Sequence, residues 1–91
     1  MTGSGTAPTQ HSVALNWNAS TGPGVVGYNV FRGSVSGGPY SQINPALEAS
    51  TAYTDNSVAA GQTYYYVITA VDGSDNQSGY SDQVLAVIPT P

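Results

Sequence analysis

The run Gln62-Thr63-Tyr64-Tyr65-Tyr66-Val67-Ile68-Thr69-Ala70-Val71 is dense in aromatic and β-branched side chains, which fit a pleated, half-buried surface. Its period is two. Tyr64, Tyr66, Ile68 and Ala70 fall on one face, and Tyr65, Val67, Thr69 and Val71 on the other. Ala60-Gly61 precedes the run and Asp72-Gly73-Ser74-Asp75-Asn76-Gln77-Ser78-Gly79 follows it, so turn signals bound both ends. This is a long strand of a sheet.

The flanking chain repeats the pattern in shorter pieces. A last strand is expected over residues 81–88, and short strands over residues 51–55 and 40–43, the latter broken by Asn44-Pro45. Val26, Tyr28 and Val30 alternate with Gly27, Asn29 and Phe31 in a strand that ends at Arg32-Gly33. Further back, Val13, Leu15 and Trp17 share one face, with Ser12, Ala14 and Asn16 opposite. A short first strand near residues 6–10 brings the count to about seven, with no helix. Short strands punctuated by turns at this spacing predict an all-β, antiparallel two-sheet sandwich.

Composition sets limits on function. The chain has 91 residues and 9.3 kDa with 40% hydrophobic content, enough for one small domain around one core. With no cysteine, disulfides, thiolate metal sites and thiol nucleophiles are excluded. Arg32 is the only lysine or arginine and the formal net charge is -4, so nucleic-acid phosphates and anionic lipid find no complement. No stretch approaches the roughly 20 apolar residues of a membrane helix, and membrane insertion is not expected. Small polar residues 1–5 read as a flexible leader or linker, residues 6–88 as the domain, and residues 89–91 as a Pro/Thr linker stub.

Four motifs in order resemble a known family. Trp17 ends its strand, Gly27-Tyr28-Asn29-Val30-Phe31-Arg32 forms the next, and Val58-Ala59-Ala60-Gly61-Gln62-Thr63-Tyr64 leads into the long strand. Ala70-Val71-Asp72 with Asn76-Gln77-Ser78-Gly79-Tyr80-Ser81 precedes the last. Over roughly residues 9–88 these resemble a fibronectin type III domain of the bacterial extracellular kind. The resemblance implies a seven-stranded immunoglobulin-like sandwich with Trp17, Tyr28, Val30, Tyr64, Tyr66 and Ile68 in the core. It also implies a corner tyrosine, Tyr64, although Val58 and Ala60 stand where the family usually has Leu and Pro.

Candidate chemistry is sparse. His11 is the only histidine and sits at a strand start without converging partners. Asp72, Asp75, Asn76 and Asp82 offer oxygens near one turn but lack the spacing of a calcium loop, so they read as turn-capping residues. Glu48 and Asp55 are too isolated in the pattern to serve as paired catalytic carboxylates. Gly22-Pro23-Gly24 and Gly37-Gly38-Pro39 lack the Lys-Ser/Thr of a phosphate loop and are turns. No catalytic residue, metal or cofactor is therefore expected.

Tyrosines offer the alternative to inertness. Tyr65 lies on the parity opposite Tyr64 and Tyr66, while Tyr40 and Tyr80 lie near strand ends, so all three are candidate exposed contacts. The leading expectation is a non-catalytic structural or spacer module of an extracellular or cell-surface bacterial protein, in contact with neighbouring domains of the same chain. The alternative is a carbohydrate- or protein-binding module acting through loops or exposed tyrosines. Edge strands without guarding lysines also leave self-association open.

Overall fold

A computed structural model describes residues 11–20, 22 and 24–90. The strand expected near residues 6–10 lies outside the described residues, as does the leader at residues 1–5. Six strands are present among those described: β1 (Val13–Asn16), β2 (Val25–Gly33), β3 (Ser41–Gln42), β4 (Ala52–Asp55), β5 (Thr63–Asp72) and β6 (Val84–Val87). β1 pairs with β4, and a second sheet runs β3-β2-β5-β6, with every pairing antiparallel. The all-β sandwich expected from the alternation is the observed architecture.

Alternation shapes the small sheet directly. Leu15 is buried between exposed Ala14 and Asn16, and Val13 and Leu15 pair with Asp55 and Tyr53. β5 behaves differently, since Tyr66, Val67, Thr69 and Val71 are all buried and both of its faces are therefore covered. Leu15, Val30 and Tyr66 form the buried cluster between the sheets, and Val13, Trp17, Ile43, Tyr53, Tyr64, Ile68 and Ala86 pack around it.

Two local details depart from simple alternation. The register of β2 against β5 slips between Val25 and Gly27, and the extra residue, Val26, is 52% exposed rather than inward beside Tyr28 and Val30. β6 starts later than expected because serine hydroxyls accept bonds from β5 amides just before it. Ser78 Oγ takes the N–H of Ala70 (2.9 Å) and Ser81 Oγ that of Ile68 (2.8 Å).

Two glycines permit close approach. A Cβ at Gly27 would lie 2.9 Å from the carbonyl oxygen of Glu48, whose backbone exchanges hydrogen bonds with Tyr28 at 2.8 and 2.9 Å. A Cβ at Gly33 would lie 2.5 Å from the carbonyl oxygen of Pro39 and 3.1 Å from the Tyr40 ring. Glycine at position 33 thus lets the chain at residues 39–40 rest on β2.

Candidate functional site

Between the sheets, a carboxylate occupies a core position. Asp55 ends β4 on the same face as Tyr53 and is only 3% exposed. Its Oδ2 accepts bonds from Arg32 Nη1 (2.8 Å) and the Tyr66 hydroxyl (2.7 Å); its Oδ1 accepts from the Ser57 amide (3.0 Å) and hydroxyl (2.6 Å). Burial alone pushes a carboxyl upward. Here the Ser57 and Tyr66 hydroxyls, the Ser57 amide and Arg32 together prevail and hold Asp55 down to about 2. The same burial, with Asp55 alongside, pushes the Tyr66 hydroxyl upward. The Arg32 guanidinium also donates to Ser57 Oγ at 2.8 Å and lies 4.9 Å from the centre of the Tyr64 ring.

A carboxylate so acidic and so fully bonded is a poor general acid or base near neutral pH. It is a pin joining β4 of one sheet to β2 and β5 of the other. Read along the chain, Asp55 looks isolated; the fold supplies its partners. A signal was present in the sequence. Arg32 shares parity with Tyr28 and Val30, and Asp55 shares parity with Tyr53, so opposite charges stand at two inward positions.

The corner before β5 is closed by Tyr64. Its hydroxyl accepts the Ala59 N–H at 2.9 Å, and its half-buried ring lies 6.5 Å from that of Tyr66. Tyr64→Phe is expected to cost about 0.5–1.5 kcal/mol in urea unfolding, because the Ala59 amide loses this partner. Tyr65→Phe should change stability by less, since the Tyr65 hydroxyl bonds none of the described residues. A larger loss for Tyr65→Phe than for Tyr64→Phe would contradict this division of roles.

The other expected core residues differ in depth. Val30 and Tyr28 are 0% and 7% exposed, and the Tyr28 hydroxyl accepts the Ser20 N–H at 2.8 Å. Ile68 and Trp17 are half-buried. Trp17 meets Tyr28 edge to face, with ring centres 5.6 Å apart, and packs against the core from its margin. Tyr66, not the tryptophan, is the large side chain at the centre.

Asp72 caps its turn by accepting the backbone N–H groups of Ser74 (2.9 Å) and Asn76 (3.0 Å), and the Asn76 amide and backbone hold its carboxyl below the usual range. Among the described residues no three His, Asp or Glu side chains converge as a metal site would require.

On the opposite face of the larger sheet, exposed tyrosines meet. Phe31 pairs with Val67 and so points away from Tyr66, and its ring lies 5.3 Å from that of Tyr80. Tyr80 is 5.2 Å from Tyr40, and both contacts are edge to face. Tyr80 is 55% exposed, while Tyr40 and Tyr65 are half-exposed. Tyr40 and Tyr80 thus come together; Tyr65 sits on the same face, opposite Gly33.

No family model matches the chain. A crystal structure of an Fn3-like protein from Clostridium thermocellum is similar to it, with 40% identity, a TM-score of 0.76, and coverage of 88% of this chain and 79% of that one. Exoglucanase B of Cellulomonas fimi is 37% identical over 91% of this chain, yet the match spans only 7% of that protein. Poly(3-hydroxybutyrate) depolymerase of Ralstonia pickettii is 40% identical over 89% of this chain and 14% of its own length. This chain therefore corresponds to a small part of each of these curated relatives.

Proposed function

The chain belongs to the fibronectin type III family as a non-catalytic module, and we propose that it serves as a spacer within an extracellular, polymer-degrading multidomain protein. One observation carries this reading: similar segments occur in an exoglucanase and in a polyester depolymerase. A segment common to enzymes that break different bonds does not specify either reaction. Polymers too large to enter a cell are attacked outside it, and this supports an extracellular parent in this reading. Residues 6–88 are the module in this reading.

Contact with a neighbouring domain has its own support. The edge strand β6 leaves Val84, Leu85 and Val87 at 49%, 58% and 67% exposed, with no charge within the strand. Light scattering on the 91-residue chain distinguishes this from pairing between copies, for which a dimer would be the sign.

The functional test is hydrolysis together with metal response. The isolated chain is expected to release no sugar from soluble glucan, and its melting temperature should be the same with chelator as with excess calcium. A ligand that binds only the folded state must raise the melting temperature. A rise of several degrees with calcium would turn Asp72, Asp75 and Asp82 from turn residues into ligands and overturn the inert-spacer reading.

A further inference from the structure

We infer that the outer face of the larger sheet carries a binding strip for an uncharged polysaccharide, centred on Tyr80. The strip is independent of the spacer role and stands on its own geometry. Tyr80 keeps more than half of its surface in solvent although two rings touch it, Phe31 at 5.3 Å and Tyr40 at 5.2 Å. Those contacts fix the ring without hiding it. A rigid exposed aromatic loses little freedom when a ligand covers it, so most of the contact energy is retained.

The loop that carries Tyr40 is tied down as well. Gln83 accepts bonds from the Tyr40 hydroxyl and from the Gly37 N–H (2.7 Å), and its amide donates to Ser36 Oγ at 3.1 Å. Beside the rings runs a chain of amides. Gln77 Oε1 accepts from Thr69 Oγ1 (2.8 Å) and Asn29 Nδ2 (3.3 Å), and Asn29 Oδ1 accepts from Gln42 Nε2 (3.2 Å). One end of each exposed glutamine is thereby anchored. Among the described residues the other ends, Gln77 Nε2 and Gln42 Oε1, have no partner, leaving one donor and one acceptor facing solvent.

Ring and amide meet in a shallow groove lined by Phe31, Thr69, Gln77, Ser78, Gly79 and Tyr80, none of them charged. The chain's single arginine is on the inner face, bound to Asp55. Polyanions therefore meet no cation here, and a cation meets no carboxylate in the groove. The complement is neutral, with C–H faces to stack on a ring and hydroxyls that both donate and accept. A pyranose polymer has that chemistry; a polyester lacks the repeated donors.

Affinity electrophoresis of the 91-residue chain through gels containing hydroxyethylcellulose, soluble starch or carboxymethylcellulose tests this. Retardation by at least one neutral polymer is expected, with weaker retardation in the anionic one. Tyr80→Ala should weaken binding by roughly tenfold or more while leaving the melting temperature near that of the parent, because the ring is exposed. Gln77→Ala should weaken it less. Absence of retardation in both neutral gels, undiminished binding by Tyr80→Ala, or binding only to poly(3-hydroxybutyrate) granules would each overturn the assignment.

Discussion

Asp55→Ala is expected to lose about 3–5 kcal/mol of folding stability, read as the shift of the urea midpoint at constant slope. The substitution leaves the Tyr66 hydroxyl, at a residue with no exposed surface, without its acceptor, and it deprives Arg32 of its carboxylate. Asp55→Asn should lose less, since an amide oxygen still accepts from Tyr66. A loss below about 1 kcal/mol for Asp55→Ala would show that the pin between the sheets contributes no more than an exposed ion pair.

The same carboxylate makes a pH signature. Its folded value of about 2 lies below the ordinary 3.8, so the native state favours the ionised form. The resulting stabilisation, about 2 kcal/mol, is fully present above about pH 5 and is lost progressively as pH falls through the ordinary value toward 2. Tyr66 has the opposite sign. Its hydroxyl is raised above the ordinary 10.0, so stability is lost as pH climbs beyond that value. Unfolding midpoints measured across the acid range should drop for the parent and stay flatter for Asp55→Asn. Parallel curves for the two proteins would remove Asp55 as the cause.

Tyr66→Ala is expected to cost about 3–5 kcal/mol, from lost burial and the cavity left behind. The ring has no exposed surface and its hydroxyl bonds Asp55. Because a small domain holds only about 5–15 kcal/mol in total, this variant approaches unfolding. Tyr66→Phe keeps the ring and loses the hydrogen bond alone, so it should cost about 1 kcal/mol and separates packing from bonding. Trp17→Ala should cost less than Tyr66→Ala, since the indole is half-buried at the edge of the core. The reverse order would restore the tryptophan to the centre where the sequence places it.

Legibility along the chain followed the range of the interaction. The long alternating run at Gln62 to Val71 announced β5 with both faces assigned, because side-chain period is a local property of the strand. Tyr64 was expected at the corner through the resemblance to fibronectin type III domains, not from the alternation. Asn44 was read only as the start of a break after a short edge strand. In the fold it is 4% exposed, and its side chain accepts the Val30 N–H at 2.8 Å and donates to the Ala46 carbonyl at 2.8 Å. It satisfies β2 backbone where β3 has already ended.

By itself the sequence determined the described strands to within a few residues, the antiparallel sandwich and the lack of any cationic surface, since each follows from composition or from spacing within a few residues. Tertiary structure alone decided which distant residues meet. Arg32, Asp55 and Tyr66 come from three strands and two sheets, so their pairing depends on register and on how the sheets stack. Tyr40 and Tyr80 arrive from separate loops, and Phe31 reaches Tyr80 from the sheet only because β2 and β5 pair with Phe31 opposite Val67. A slip of one residue would turn Phe31 toward the core and dissolve the row. Such coincidences carry no local signature, because what fixes them is the closure of the whole sandwich around Leu15, Val30 and Tyr66.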